Sequence, residues 1–526
     1  MTKFLHKYVY LIALVALLPA MCLRDVTPDN ELRYLSIADE ALQSGRFFAF
    51  TNHGIAYADK PPLYLWIVML GKWLFGTHVV WFLSLFSWLP ACVIVWLTDR
   101  WISAYVRMSE AWRSAGRLML LTCGLFLGTG IVLRMDMLMT LFIVLALHTF
   151  FAAASDGMSA SVGSSRWLFA LYTFLALFVK GPVGLLIPVL TVVLFSLLEG
   201  RTKWLGWMLG WRFWLLLGGS CALWFGATYM EGGKDYLENL LFHQTLDRAV
   251  NAFHHKEPFY YYAKVVWYCM APWSLLVVGT IVARVIWLRS WHPVQRFFLT
   301  EILVTWVMLS IFSSKLAVYL VPTFSFAVYL AVSLLDGKRW KAWMSLSLAL
   351  PAAVFAGVLP GLLLLEWFFS NSSADYLNHP LVYVAAAVLS ASGIGALYVL
   401  VRQPRKEGSI TALAFGLLAA LFVGGWSMPD LNAWMGYRAV CEKAMEVARE
   451  KEADGGFYVW KERRPENMDV YLHEDVHEVE AEDLPMIRRA VLMLPVKKLN
   501  RSAEVQAFLK GKEQQVVGKH LVVYCE

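Results

Sequence analysis

Charged residues are scarce in this chain: Asp, Glu, Lys and Arg make up 16% of its 526 residues, where soluble domains carry about 25%. That shortage excludes an ordinary water-soluble globule, whose surface would need more of them. Cysteine is sparse too. The seven cysteines are scattered singly, without a CxxC pair or zinc-ligand spacing, which excludes a thiol redox motif and a structural zinc site. Five lie in or beside apolar segments and read as packing residues. No internal repeat of the kind transporters often carry recurs along the chain. The net charge of +7 does not come from a basic cluster suited to nucleic acid, because Lys and Arg fall mainly in short loops between apolar runs.

What the chain has in excess is apolar surface, 59% of residues, including 24 Trp and 32 Phe. Apolar windows of about 17–25 residues recur, each long enough to cross a hydrocarbon core of roughly 30 Å. An all-α polytopic membrane protein is expected. Spans are read near 8–23, 79–98, 117–133, 137–154, 167–179, 182–198, 213–229, 265–283, 297–312, 317–335, 342–366, 380–400 and 409–427, about thirteen in all. Lys3 and Lys7 before the first apolar run give it the look of a signal peptide, but no clear small-x-small site follows Leu23, so it is read as a retained span.

With a cytoplasmic N-terminus, alternate loops should be basic. They are: Arg100, Arg107 and Arg113; Arg201, Lys203 and Arg212; Arg284, Arg289 and Arg296; Lys338, Arg339 and Lys341; Arg402, Arg405 and Lys406. The opposite loops are long and mixed in charge (24–78 and 231–264) or are tight turns with one or two charges. By this parity the tail lies on that outer face. The tail, 428–526, is charged and alternates a helix-like piece, CEKAMEVAREKEA, with strand-like pieces, GGFYVW, MDVYL, RRAVLMLPV and HLVVYC. It reads as a small soluble α/β domain following a membrane domain, 1–427. Cys441 and Cys525 in it are either a disulfide, as an oxidising compartment allows, or two unpaired thiols.

Ionisable groups at the edge of a span are costly and mark a site by default. Asp29, Glu31 and Arg33 follow the first span in TPDNELRY; Asp59 and Lys60 stand in YADKPPLYLW; Arg134 and Asp136 in LRMDM; Lys180 in VKGP; Lys315 in SSKLAVYL; and His243, His254 and His255 in the long loop ending HHKEPFYYY. All belong to the same predicted face. Pro61 and Pro62 fix φ and bias the preceding residues away from helix. DKPP therefore reads as an extended, rigid entry to a helix beginning near Leu63, holding Asp59 and Lys60 at a defined spot. A snorkelling Lys or Arg, a loop histidine or a cap at Asp136 would explain any one of these groups alone. Cations and carboxylates gathered at one water–membrane border instead suit an anionic, partly lipidic ligand.

In this order, TPDNELRYLSIADEALQSGRFF, GIAYADKPPLYLWIVMLGKWLFG, LRMDMLMTLF, VKGPVGLLIP, HHKEPFYYY and SSKLAVYLVP resemble the motifs of the bacterial aminoarabinose transferases of lipid A (ArnT), in the protein-mannosyltransferase-like branch of the GT-C glycosyltransferases. The resemblance covers roughly residues 1–335. It implies a GT-C fold with a small C-terminal periplasmic α/β domain, in the bacterial inner membrane. It further implies transfer of a glycosyl group from a polyprenyl-phosphate donor to a lipid A-like or protein acceptor. Asp29 and Asp136 are the implied catalytic acids. Lys60, with Arg134, Lys180 and Lys315, is implied to stabilise the departing phosphate, and Glu31, Arg33, Tyr34, Tyr57 and Tyr319 to line the substrate. Some members hold a divalent metal, zinc, magnesium or manganese, whose matching positions are Asp59 and His255. The family acid directly precedes Glu-x-Arg-Tyr, whereas here Asn30 does: either the loop is shifted by one residue or Asn30 replaces the acid. A transporter or flippase for a lipid-linked anion is the alternative function.

Overall fold

The computed structural model describes residues 7–155, 162–242, 256–368, 379–403 and 406–526. Its membrane portion runs through α1 (Val9–Leu23), α2 (Glu31–Ser44), α3 (Pro62–Phe75), α4 (Val80–Tyr105), α5 (Glu110–Leu121), α6 (Gly124–Ile131), α7 (Asp136–Ser155), α8 (Val162–Lys180), α9 (Pro182–Leu198), α10 (Trp211–Glu238), α11 (Tyr261–Cys269), α12 (Ser274–Arg284), α13 (Pro293–Ile311), α14 (Val321–Leu335), α15 (Ala342–Ala356), α16 (Val358–Phe368), α17 (Pro380–Arg402) and α18 (Glu407–Gly425). Most segments read as spans from the sequence coincide with a helix or a bent helix pair; the one near 265–283 is divided between α11 and α12. By length and composition, 7 of the described helices can cross a membrane, or up to 9 if the bent pairs α5–α6 (61°) and α15–α16 (42°) are each one span. The protein is a mostly helical membrane protein.

Position in the bundle follows side-chain burial. Every residue of α14 is buried, so this apolar helix is the axis around which the others pack. By contrast, the apolar windows of α10 and α17 are only 22% and 28% buried. They present Trp214, Leu223, Ile394 and Tyr398 outward, and lipid is the solvent that accepts such a surface. Small residues bring helices close: a Cβ on Gly393 of α17 would come within 2.4 Å of the Ala352 carbonyl in α15, the close approach typical of membrane helix contacts.

The DKPP reading holds within a residue. Pro61 is extended (φ −65, ψ 161) and α3 starts at Pro62. The 14 residues of α3 span about 21 Å, shorter than the hydrocarbon core is thick. Between α2 and α3 lies a two-stranded antiparallel hairpin, β1 (Thr51–Asn52) and β2 (Ile55–Ala56).

After α19 (Met428–Met435) and α20 (Arg438–Glu450), the chain forms a five-stranded mixed sheet from β3 (Phe457–Val459), β4 (Val476–Glu478), β5 (Ala490–Pro495), β6 (Gln514–Val517) and β7 (His520–Cys525), in the order β4-β3-β5-β7-β6. β3 is parallel to β4 and β5; β7 runs antiparallel to β5 and β6. Two expectations change. MDVYL is not a strand: a 3-10 turn, Pro465–Met468, leads into a short helix, Asp469–Leu472. There Tyr471 donates to Asp25 (2.6 Å) and Asp469 accepts from Ser36 (3.1 Å), so contacts with the first loop override the local pattern. The cysteines settle on the second alternative. Cys441 and Cys525 are both buried and free.

The helices that accompany the sheet pack back onto the first loop. Asp25 accepts from Arg438 N (2.9 Å) and Tyr471, its own amide donates to Asn432 (2.7 Å), and Asn432 also donates to the Leu23 carbonyl (2.8 Å).

Candidate active site

Four chain turns at one end of the bundle assemble the charged cluster. The first is the loop from α1 to α2. Here Arg24 forms a bidentate pair with Glu31 (2.8 and 2.6 Å). Glu31 also accepts from the Thr27 amide and hydroxyl and from the Leu133 amide (2.6 Å). Burial alone would raise the Glu31 carboxyl; Arg24 and the two backbone amides instead hold it below its ordinary value. Glu31 is 1% exposed. It ties the first loop to the LRMDM turn, and its acceptor sites are taken up by the protein.

The second turn, 132–135, is hung from α4 by Ser87, whose hydroxyl donates to the Val132 and Arg134 carbonyls (2.8 and 3.1 Å). It delivers Arg134 and the first residue of α7, Asp136. The third joins α8 to α9. Lys180 ends α8, and Gly181, at φ +96, reverses the chain into Pro182; that φ suits glycine because a Cβ would clash there. The α8–α9 approach is so close that a Cβ on Gly184 would meet the Ala176 carbonyl at 2.2 Å. Asp136, 1% exposed, is gripped from both sides: Arg134 Nε donates to one carboxylate oxygen (2.9 Å) and Lys180 Nζ to the other. Lys180 also lies 4.5 Å from the centre of the Tyr319 ring, carried by the 3-10 turn Ala317–Leu320 that starts α14.

The fourth turn is DKPP. Lys60 pairs with Asp59 (3.1 Å), both side chains mostly covered, and Tyr57 donates to Asp59 (3.4 Å). Arg33 of α2 lies over the Tyr57 ring at 5.1 Å. Tyr34 bridges the two halves of the site. Burial pushes its phenol up to about 12; Asp136 and Asp59 add to the rise, while Arg134 and Arg33 oppose it. Lys60 is near enough to Lys180 for their ammonium groups to repel. The result is a group of four cations, Arg33, Lys60, Arg134 and Lys180, with tyrosines between them and two carboxylates inside. It can hold an anion of concentrated charge, such as a phosphate, better than a neutral ligand.

Three expected residues stand apart. Asp29, 40% exposed in its side chain, pairs with Arg463 of the C-terminal segment (2.6 Å) rather than with the cluster. Lys315 is 4% exposed and donates to the Glu257 and Phe312 carbonyls (2.9 and 2.5 Å). It fastens its own loop, apart from the cluster. His255 lies outside the described residues, as do His243 and His254. Among the described residues no three His, Cys, Asp or Glu side chains gather to hold a metal, and Asp59 faces Lys60 instead. Sequence reading missed Arg24, whose buried partner is seven residues away, and Tyr64. The Tyr64 ring meets Tyr34 edge-on at 5.8 Å, and its hydroxyl is buried without a hydrogen bond. An alternating acid–base signal marks neither.

The opposite ends of the helices carry their own pairs. Arg113 and Arg117 bind Asp99 (2.7 and 2.9 Å), and Arg296 binds Glu199 (2.7 Å). The cluster is thus one-sided.

No protein-family model matches the chain. It is 26% identical over 452 residues, 82% of this chain and 75% of the relative, to undecaprenyl phosphate-alpha-4-amino-4-deoxy-L-arabinose arabinosyl transferase 1 of Pseudomonas fluorescens. With the enzyme of the same name from Erwinia tasmaniensis it shares 27% identity over 341 residues, 62% of this chain and 58% of that one. Among solved structures, ArnT from Cupriavidus metallidurans bound to undecaprenyl phosphate superposes with a TM-score of 0.72 and 18% identity, over 99% of this chain and 98% of that one. The chain is an ArnT-like glycosyltransferase.

Proposed function

We propose that the protein transfers a glycosyl group from a polyprenyl-phosphate sugar to a lipid A-like glycolipid or a protein, at the periplasmic face of the bacterial inner membrane. The observation that carries this is the one-sided group of Lys60, Arg134 and Lys180 around Asp136. Displacement at an anomeric carbon expels a lipid phosphate, and preorganised cations aimed at that phosphate are the largest help a protein can give. The names of the relatives supply the same donor chemistry.

In the reaction, the acceptor oxygen forms a bond to the anomeric carbon as the carbon–oxygen bond to phosphate breaks. The electron pair leaves with the polyprenyl phosphate. One displacement needs no covalent intermediate, so the transfer inverts configuration. Lys60, whose ion pair among the described residues is with Asp59, is the first cation for the phosphate, with Lys180, Arg134 and Tyr319 beside it. Arg33, Tyr34 and Tyr57 line the approach. Asp136 is held on both oxygens, so we assign it to positioning Arg134 and Lys180. Asp29 is then the carboxylate for an acceptor hydroxyl proton, and its exposed ion pair with Arg463 has to yield first. A divalent metal would be held by Asp59 and His255.

We further propose thirteen crossings for residues 1–427, including the first loop, 24–78. The N-terminus is then cytoplasmic and 428–526 form a periplasmic α/β domain. The basic loops opposite the cluster support this topology. Purified protein in liposomes with radiolabelled polyprenyl-phosphate sugar should label the acceptor. A flippase would instead move the donor across the bilayer and leave it unspent. Mass spectrometry of envelope lipids and glycans from a deletion strain identifies the acceptor.

A further inference from the structure

A cavity of about 570 Å³ lies away from the cluster, between the outer ends of α17 and α18, helix α19 and the β6–β7 hairpin. Its wall is apolar, with Val382, Leu421, Leu431 and Trp434, while Lys497 and Lys519 stand at the end formed by the sheet. The hairpin turn is seated hard against α19. Gly518, at φ +57, approaches so closely that a Cβ there would meet the Ala433 carbonyl at 2.3 Å.

Neither Lys497 nor Lys519 makes a side-chain hydrogen bond or ion pair with a described residue. The two acids that act on Lys519 have other partners: Glu462 pairs with His520 (2.7 Å) and accepts from the Tyr437 hydroxyl (3.3 Å), and Asp29 pairs with Arg463 (2.6 Å). Burial pushes Lys519 below the usual lysine value; Glu462 and Asp29 oppose that fall and Lys497 adds to it. Two like charges facing one apolar slot at the rim of membrane helices call for an amphipathic anion, and the volume is that of a ligand pocket.

We propose that this cavity binds a glycerophospholipid with an anionic headgroup, its phosphate held by Lys497 and Lys519 and an acyl chain lying along α17, α18 and α19. Such a lipid would fasten the C-terminal sheet to the membrane helices. The proposal stands apart from the donor reading, because it uses none of the cluster residues.

Native mass spectrometry of the full chain, delipidated in mild detergent and titrated with phosphatidylglycerol or phosphatidylcholine, tests it. A phosphatidylglycerol adduct is expected, with phosphatidylcholine binding about tenfold more weakly. Lys497→Gln with Lys519→Gln should weaken the phosphatidylglycerol adduct by about tenfold, somewhat less than two fully engaged basic residues near an anionic surface would give. Lys497→Arg with Lys519→Arg should keep it. Equal binding of the two lipids by the unmodified protein, or an undiminished adduct in the glutamine variant, would overturn the proposal. So would inorganic phosphate alone stabilising the protein as much as the lipid does.

Discussion

Removing Asp136 and Lys180 singly and together separates what the central pair does for the fold from what it does for the donor. Asp136→Asn leaves Arg134 and Lys180 facing each other without their shared anion, and Lys180 is 6% exposed in its side chain. Breaking a buried pair on one side costs about 3–5 kcal/mol, because an uncompensated charge remains. Lys180→Gln is milder. Asp136 keeps its 2.9 Å bond from Arg134, so the loss is that of one charge-assisted hydrogen bond, about 1.5–3 kcal/mol. In the double variant only Arg134 is left, 25% exposed and able to reach water. Its cost should fall well below the sum of the two single costs. Thermal unfolding in detergent reads these differences, and Asp136→Asn should have the lowest midpoint. Transfer behaves otherwise: the double variant regains stability yet stays at least about a hundredfold slow, the loss expected when one preorganised donor to a developing anion is removed. Additive stabilities, or a double variant that regains transfer together with stability, would refute this division of roles.

Lys60→Ala should lower transfer in liposomes by about a hundredfold while leaving the unfolding midpoint nearly unchanged, since among the described residues Lys60 has its 3.1 Å pairing with Asp59 to lose. Glu31→Gln should destabilise by about 3–5 kcal/mol, seen as a lowered midpoint. The same carboxyl sets an acid limit: its folded value lies below its unfolded one, so its stabilisation is present above about pH 4.5 and is lost as pH falls through the folded value. Glu31→Gln should flatten that acid slope in a melting series. A thiol reductant should leave the midpoint unchanged, because all seven cysteines are free; a clear drop would contradict it.

Much of this architecture is written in short stretches. Apolar windows marked the helices, and the two prolines of DKPP marked the start of α3, because hydrophobic length and proline sterics act over a few residues. LRMDM and VKGP were legible as charged turns for the same reason. Their partnership was not: Lys180 and Asp136 are 44 residues apart, and only the packing of α7 against α8 brings them into contact. Glu31 reads like a ligand residue until Arg24 and the Leu133 amide, 102 residues away, surround it. Asp29 turns out to meet Arg463, and MDVYL became helical because Asp25 and Ser36 hold its side chains. Composition and local sterics thus determined which segments are helices and where the charges sit along them. Tertiary structure decided which charge faces which, since a buried ion is tolerated only beside its partner, and that partner is chosen by how the helices cross.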